Sequence, residues 1–335
     1  MIFRISKRFY TVDYTRLKVL FFGNDKFSVS SLELLNREFK SKGPVEKLAV
    51  VTNTKKSRTP NPVKKFAEKF KVEIYPWPVN EEAFRGHYDI GVVVSFGHLL
   101  SSSLIETFPL GMINVHGSLL PRWRGAAPII HALKTGDTST GVTIMRIRPK
   151  VFDIGEILAQ RQIPIEPDTL MPDLHDNLAR IGGQLLVDCL HNLQDVLENA
   201  KPQPSEGVTR APKVDKTPEM IKWNEMTSTE IYRHFCAYFS FKFLQTNWHE
   251  ISVKVLLVSV REITSSGQLT SLRDQPPGSF ILHKQERCFI VKCAKETYLN
   301  VLQVGLEGKK AMSALDFYNG FIRKRPKSAD SSKFQ

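Results

Sequence analysis

The sequence contains few cysteines and lacks the patterns that usually give cysteine a function. The four, in 335 residues, are Cys189, Cys236, Cys288 and Cys293. Because no Cys-x-x-Cys pair occurs, neither a zinc ribbon nor a disulfide framework is indicated. No apolar run approaches the ~18 residues that a membrane span requires. The four thiols are therefore expected to be buried, and the protein is expected in a reducing compartment. No transmembrane segment is expected.

A dinucleotide-binding glycine pattern is also missing. The first apolar run, KVLFF, ends at Gly23 and is followed by Asn-Asp-Lys-Phe. A Gly-x-Gly-x-x-Gly turn would need a glycine where Asp25 stands. The sequence therefore disfavours NAD binding.

Short apolar runs alternate with helical patterns through the first 200 residues. The predicted strands are Lys18–Phe22, Lys47–Thr52, Val72–Tyr75, Asp89–Ser95, Met112–His116, Gly141–Ile147 and Glu156–Ile163. Strands that alternate with helices predict an α/β fold with a parallel, doubly wound, Rossmann-like sheet. In such folds ligands bind at the carboxyl ends of the strands.

The character of the chain changes after residue 200. Residues 201–216 are rich in proline and poor in apolar side chains, which predicts a linker between a catalytic domain at 15–200 and a second domain at 217–326. Short strand-like pieces in the second domain predict a small OB-like β-barrel, preceded by a helical stretch at Thr217–Phe239. Residues 327–335 are polar and basic, and we expect a disordered tail.

Positive charge is concentrated in the shorter half of the chain. The formal net charge is +13, of which +5 lies in residues 1–200 and +8 in residues 201–335. Nucleic acid is one partner that such a charge indicates, and solubility alone is the other explanation.

The N-terminus has a composition of its own. Residues 1–14 contain Arg4, Lys7 and Arg8, several aromatic residues and no acid before Asp13. Basic composition without an apolar core is typical of a mitochondrial transit segment rather than a secretory signal. A frayed basic terminus is the alternative.

Candidate catalytic residues lie around the predicted strand Met112–His116. Asn114 and His116 are two residues apart, so their side chains point to one face of the strand. Asp153 lies in a short connection between two later strands. Amide and imidazole N–H groups stabilise an oxyanion, and a carboxylate beside an imidazole orients it or moves protons. Taken singly, each residue is as readily explained as a turn former or a locally bonded side chain.

The segment Asn114–Ile129 (NVHGSLLPRWRGAAPI), together with Phe152–Glu156 (FDIGE), resembles the folate-dependent formyltransferases. The resemblance extends from about Lys18 to Arg325, with further similar segments at Gly141–Met145 and Gly308–Ala314. It implies that Asn114, His116 and Asp153 are catalytic and that the formyl donor is 10-formyltetrahydrofolate, without a metal. The implied folate-binding residues are Ser118, Leu119, Leu120 and Pro121, with Ser95, Phe96 and Gly97 as a nearby wall.

The Ala-Ala-Pro-Ile ending of that segment resembles the branch of the family that formylates initiator methionyl-tRNA. The tRNA-binding residues that this implies are Lys55, Lys56, Arg58, Arg122, Lys309 and Lys310. A solvated loop is the alternative explanation for the three charges at 55–58. A monomer in the mitochondrial matrix, without membrane association, is expected.

Two other functions remain open at this point. The first is formyl transfer to a small amine, or folate hydrolysis, which would leave the basic second domain without a role. The second is a tRNA-binding protein without activity, which would leave the Asn–His–Asp set unexplained.

Overall fold

The computed structural model describes residues 12–54, 60–260, 266–324 and 332–335. Contact clustering divides the chain into two compact units. The first comprises the residues up to Ile129, Thr138–Ile165 and Asp173–Lys213, and the second comprises Ile130–Asp137, Glu166–Pro172 and the residues from Val214 onward. The predicted linker therefore belongs to the first unit as far as Lys213. Most of the predicted transit segment lies outside the described residues.

The first unit contains a seven-stranded sheet. Its strands are β1 Leu17–Gly23, β2 Val45–Thr52, β3 Glu73–Pro76, β4 Ile90–Val94, β5 Met112–His116, β6 Ser139–Arg146 and β7 Ile157–Pro164. The spatial order is β3-β2-β1-β4-β5-β6-β7. Strands β1, β2 and β4 are almost continuously apolar and almost fully buried, as expected for strands covered on both faces. The predicted α/β fold is confirmed.

The direction of β6 differs from the prediction. Strands β1 to β5 pair in parallel, whereas β6 runs antiparallel to both β5 and β7. The connection between β6 and β7 covers only residues 147–156, and a parallel crossover needs a dozen residues or more. The expectation of a wholly parallel sheet is wrong at this edge, and the short connection carries Asp153.

Local sequence features explain where the described helices begin and which of their faces is buried. They are α1 Lys26–Lys40, α2 Pro62–Phe70, α3 Ser102–Glu106, α4 Pro128–Thr135, α5 Met171–His191, α6 Leu193–Glu198, α7 Ser228–Tyr238, α8 Ser266–Arg273 and α9 Ala314–Phe317. Asp25 begins α1 with a capping box shared with Ser28. Helix α5 buries one apolar stripe, including Leu174 and Leu178, as its spacing predicts.

The second unit has a sheet of its own, with strands β8 Glu219–Met220, β9 Leu244–Trp248, β10 Ile251–Ser259, β11 Phe280–His283, β12 Cys288–Lys292, β13 Tyr298–Leu306 and β14 Met312–Ser313. Their order is β11-β12-β13-β10-β9-β8, with β14 paired to β13. The helical prediction for Thr217–Phe239 is wrong at Glu219–Met220, which pairs with β9. The helix starts only at the Thr227 capping box.

The chain's last residues belong to the core of this unit. Lys333 pairs with Ser279 beside β11, and Gln335 exchanges backbone hydrogen bonds with Asn247 of β9. Phe334 is 1% exposed and its ring lies against Trp223, Phe280 and Phe289. The expectation of a disordered tail is wrong for residues 332–335, because a phenylalanine in a polar stretch had a cavity to fill. Closure of the sheet into a barrel stays a prediction.

Candidate active site

The site is built at the carboxyl end of β5. The alternation of the strand brings Asn114 and His116 to the same face. Val93 of β4 lies beside Asn114, and Met145 and Thr143 of β6 lie opposite Asn114 and His116. Within the described residues the half-buried Asn114 amide has no hydrogen-bond partner, so its N–H donors are available to a ligand.

His116 is buried and held at one nitrogen. Its Nε2 lies 2.9 Å from the backbone carbonyl oxygen of Trp123. Since a carbonyl oxygen only accepts, Nε2 carries a hydrogen and donates it. The other nitrogen, Nδ1, lies 3.7 Å from Oδ1 of Asp153. The two side chains are 7% and 10% exposed, so little water separates them.

Asp153 is presented by a strained turn. Its φ is 57°, in the left-handed region that non-glycine residues rarely adopt. Its Oδ2 accepts a 2.9 Å hydrogen bond from the backbone N–H of Gly125. Two residues on, a Cβ at Gly155 would lie 1.7 Å from the carbonyl oxygen of Arg146, so only glycine fits there. One carboxylate oxygen is thus fixed by the loop that follows β5, and the other faces His116.

The tautomer of His116 decides which atom exchanges protons. Because Nε2 keeps its hydrogen, a second proton is gained or lost at Nδ1. Only the protonated ring has an Nδ1–H to donate, and Asp153 lies where it stabilises that cation. The donation by His116 through an imidazole N–H stays a prediction, and the hydrogen it would use is the one on Nδ1, because Nε2–H is bound to the Trp123 carbonyl.

The predicted folate-binding turn at Ser118–Pro121 is anchored from β6 and β7. Thr143 Oγ1 donates to the Ser118 carbonyl at 2.7 Å and accepts from the Leu120 N–H at 3.0 Å. Gln160 Nε2 donates to the Leu120 carbonyl and to Thr143 Oγ1, each at 2.9 Å. The buried Ser118 hydroxyl donates to the Arg122 carbonyl at 2.6 Å. Ser118 and Leu120 are internal supports of this turn, whereas Leu119 is half-buried.

Sequence reasoning missed both anchors. Thr143 stands in the GVTIM segment that carries part of the family resemblance, so a signal for it existed. Gln160 had no such signal. It is an exposed glutamine in a strand, and because its hydrogen-bond partners lie far away in sequence, no spacing pattern marks it.

The second predicted folate-binding segment, at the end of β4, is tied to the turn after β1. Ser95 has a φ of 46° and its hydroxyl donates to the Asp25 carboxylate. Asn24 Nδ2 donates to the Phe96 carbonyl at 2.5 Å. Phe96 is buried, while Gly97 is exposed with a φ of 77°. Asp25 thus stands where a dinucleotide fold would have a glycine.

Two family models match the chain over most of its length. The model described as Formyl transferase matches residues 17–190, and the model described as Formyl transferase, C-terminal domain, matches residues 213–322. The chain belongs to the formyl transferase family. The resemblance inferred from the Asn114–Ile129 segment is confirmed.

Named relatives align with 91% of this formyl transferase. It is 45% identical over 309 residues to the mitochondrial methionyl-tRNA formyltransferase of Bos taurus, covering 91% of this chain and 77% of the relative. The Homo sapiens protein of the same name is 43% identical, with 91% and 78% covered. The methionyl-tRNA formyltransferase of Symbiobacterium thermophilum is 34% identical, with 91% and 92% covered.

Solved structures share the fold at low sequence identity. An N-formyltransferase from Helicobacter canadensis, solved with folinic acid and dTDP-3-aminofucose, superposes with a TM-score of 0.62. It is 18% identical, over 85% of this chain and 98% of that one. The sugar 3N-formyl transferase WlaRD gives a TM-score of 0.61 at 18% identity, over 88% and 99%. At this identity the likeness shows the fold of the formyl transferase and nothing finer.

The candidate tRNA-binding residues fall in separate parts of the formyl transferase. Lys55, Lys56 and Arg58 lie outside the described residues. In the first unit, the Arg122 guanidinium lies 4.4 Å from the centre of the Trp123 ring. In the second unit, Lys309 and Lys310 are exposed in the turn between β13 and β14.

The cysteines take no part in this site. All four are free and buried, as expected from the sequence. Burial raises the pKa of the Cys189 and Cys293 thiols to about 12. Over the part of the chain that the structure describes, no group of three or more His, Cys, Asp or Glu residues could hold a metal ion. Nor does any helix there combine the length and apolar character needed to cross a membrane.

Proposed function

We propose that this formyl transferase transfers the formyl group of 10-formyltetrahydrofolate to the α-amino group of initiator methionyl-tRNA in the mitochondrial matrix. The geometry that carries the chemistry is the buried pair formed by His116 Nδ1 and Asp153 Oδ1, 3.7 Å apart, beside a half-buried Asn114 amide without a partner. The tRNA substrate and the compartment are supported by relatives named mitochondrial methionyl-tRNA formyltransferase, which are 42–45% identical over 91% of the chain.

Asn114 has the donors that the reaction needs. Negative charge develops on the formyl oxygen when the amine attacks the formyl carbon, and a preorganised N–H donor stabilises that charge. An amide whose hydrogens are not used within the protein meets this requirement without reorganisation. We assign Asn114 to the oxyanion and expect its loss to cost about 10²–10³ in rate.

His116 and Asp153 manage the proton of the attacking amine. An α-amino group has a pKa near ~7.7–8, so a large fraction is neutral at matrix pH and no strong base is required. The proton that the nitrogen sheds on bond formation is accepted at Nδ1 of His116, and the Asp153 carboxylate stabilises the resulting imidazolium. The same Nδ1–H then supplies the proton that the leaving folate nitrogen needs. Such acid–base help is worth roughly 10²–10⁴ in rate.

For folate and tRNA binding we propose the residues that the family resemblance implies. The folate site lies at Ser118–Pro121 and Ser95–Gly97, of which Leu119, Pro121, Ser95 and Gly97 are at least partly exposed and so within reach of a ligand. Arg122, Lys309 and Lys310, with the charges at 55–58, contact tRNA phosphates, and the protein acts as a monomer. Such contacts make tRNA affinity fall steeply as salt rises.

Formyl transfer to a small amine is the second candidate function. The fold it would use is the one shared with the sugar formyl transferases, at 18% identity. Against it stand the relatives that are 42–45% identical over 91% of the chain, which are named methionyl-tRNA formyltransferases, whereas the sugar formyl transferases are 18% identical.

The deciding assay is single-turnover formyl transfer from 10-formyltetrahydrofolate to charged initiator tRNA, with elongator Met-tRNA and free amino sugars run side by side. We expect transfer to initiator Met-tRNA, and a loss of at least 10² in rate for His116→Ala and for Asp153→Asn. No tRNA-dependent product would reject the function. Full activity of both variants would reject only the residue roles.

A further inference from the structure

The segment Lys201–Ala211, here named the clamp segment, lies between the two ranges that the family models match. It has little regular secondary structure, but backbone hydrogen bonds at both of its ends join it to segments that form the site. At its start, Lys201 pairs antiparallel with Ile157, the first residue of β7, through hydrogen bonds of 2.8 and 2.9 Å. This pairing fixes the segment beside the Asp153 turn.

The other end of the clamp segment is paired with the loop that follows β5. The Arg124 N–H donates to the Thr209 carbonyl at 3.0 Å, and the Ala211 N–H donates to the Arg124 carbonyl at 2.7 Å. The Ala211 carbonyl comes so close that a Cβ on Gly125 would lie 2.4 Å from its oxygen. Gly125 is the residue whose N–H binds Asp153, so this end of the segment also bears on the carboxylate.

The side-chain amide of Gln203 links the Asp153 turn to the loop that follows β5. Its Nε2 donates to the Asp153 carbonyl at 3.0 Å and to the Gly155 carbonyl at 2.8 Å. Its Oε1 accepts from Nε and Nη2 of Arg124, at 2.9 and 2.6 Å. Both donors and the acceptor are therefore used, and the guanidinium fixes which end of the amide faces the turn.

Two other polar contacts bear on the Asp153 turn, namely the Gly125 N–H bound to Asp153 and the Arg148–Glu156 ion pair. Lys150 and Asp153 both have positive φ, at 69° and 57°, which costs conformational energy. Its apolar side chains do not pack it down, because Val151, Phe152 and Ile154 are 50%, 59% and 40% exposed. A turn of this kind keeps one conformation only where polar contacts impose it.

We propose that Gln203, oriented by Arg124, is a positioning residue that holds the Asp153 carboxylate opposite His116. The inference rests on the proposed roles of His116 and Asp153. Because both polar ends of the Gln203 side chain bind protein groups, its loss should lower kcat and leave the KM for folate and for tRNA within about twofold. A displacement of about 1 Å in a catalytic group costs up to ~10² in rate, and we expect a 10–100-fold fall in kcat.

Three single variants isolate the amide. Gln203→Ala removes both contacts, whereas Gln203→Glu keeps the size and the Arg124 contact but turns an acceptor toward two carbonyl oxygens. Both should lower kcat, with Gln203→Glu at least as damaging as Gln203→Ala. Gln162→Ala is the matched control, since this exposed glutamine of β7 bonds only Ser139 Oγ at 3.1 Å, and it should keep the parent rate. Thermal unfolding midpoints of all three are measured alongside.

A double-mutant cycle with Asp153→Asn tests the route of action. If Gln203 acts through Asp153, Gln203→Ala should cost less than about twofold in the Asp153→Asn background, measured as single-turnover formylation of initiator Met-tRNA. The same 10–100-fold cost in both backgrounds would overturn the inference and assign Gln203 a general structural role, as would parent kcat in Gln203→Glu. A parent rate in Asp153→Asn alone would instead reject the catalytic role of Asp153, and the inference with it.

Discussion

The two sheets of this formyl transferase use polar residues in different ways. In the first unit, strands β1, β4 and β5 run in parallel, so the segments that follow them meet at one edge. Asn24 and Asp25, Ser95 and His116 all lie at or just beyond that edge. In the second unit, neighbouring strands from β9 to β13 are antiparallel, so successive strands end at opposite edges and no such convergence occurs.

The buried charges of the second unit therefore have partners of their own. Glu219 of β8 accepts from His234 Nδ1 and from the Tyr238 hydroxyl, each at 2.6 Å. Lys242 Nζ lies 3.4 Å from the same carboxylate, and Lys134 Nζ lies 3.5 Å away. The first unit holds the Asn114 amide and the Asp153 carboxylate to which we assign the chemistry, whereas Glu219 and its partners in the second unit bind one another. Changes in the first unit should cost rate, and changes in the second should cost stability.

The largest expected effect tests whether a change in the second unit costs stability. Phe334→Ala removes a fully buried ring from the core of the second unit and should lower the free energy of unfolding by about 3–5 kcal/mol. Urea unfolding followed by tryptophan fluorescence measures it, since Trp223 stacks on this ring. Phe243→Ala is the control, because that ring is 48% exposed. Equal losses in the two variants would show that the terminal residues are not part of the core.

The next effect tests the first unit. Gly155→Ala places a Cβ 1.7 Å from the Arg146 carbonyl oxygen, so the Asp153 turn must shift. We expect kcat to fall about 10²-fold, because the carboxylate moves relative to His116. Gly320→Ala, at a position with no atom within 4 Å of an added Cβ, should keep the parent rate. Unchanged kcat in Gly155→Ala would mean that the position of this turn does not matter for formyl transfer.

The smallest effect concerns Glu219 and depends on pH. Burial opposes its ionisation, but the hydrogen bonds from His234 and Tyr238 and the nearby positive charges outweigh this and lower its pKa below the usual range. A lowered folded-state pKa contributes stability above the unfolded value, near ~4.3, and loses it as the pH falls further. Glu219→Gln should therefore cost about 2 kcal/mol at pH 7 and progressively less below pH ~4.

The control for Glu219 is an ion pair on the surface of the same unit. Glu225 lies 3.0 Å from Lys222, and both side chains are more than 60% exposed. Glu225→Gln should change the unfolding free energy little at either pH, since exposed pairs contribute little. A cost for Glu219→Gln that stays constant from pH 7 to pH 3 would contradict a role for its charge.

Much of the first unit was predictable from residue patterns. Continuous apolar runs gave β1, β2 and β4, because strands covered on both faces need no alternation. Asn114, His116 and Asp153 were found by a family resemblance, and the structure brings His116 and Asp153 within 3.7 Å. Their spacing alone would not have selected them from other turn residues.

The parts that escaped prediction depend on distant backbone groups. Thr143, Gln160 and Gln203 bind carbonyl or amide groups that lie 23–50 residues away in sequence, and such contacts leave no local periodicity. The same holds for β8, where Glu219 pairs with Leu244 across a stretch whose composition favoured a helix. Phe334 was missed because its neighbours are polar and the cavity it fills is formed by residues 45 or more positions earlier.

The pairing of the clamp segment also constrains when the site can form. During synthesis the ribosome releases β5 and the Asp153 turn well before residues 201–211, which must be present to pair with both. A nascent chain that ends at residue 200 has every strand of the first sheet but lacks Gln203 and Ala211. If Gln203 holds the Asp153 carboxylate as proposed, all the strands of the first sheet are synthesised before the residue that completes the site.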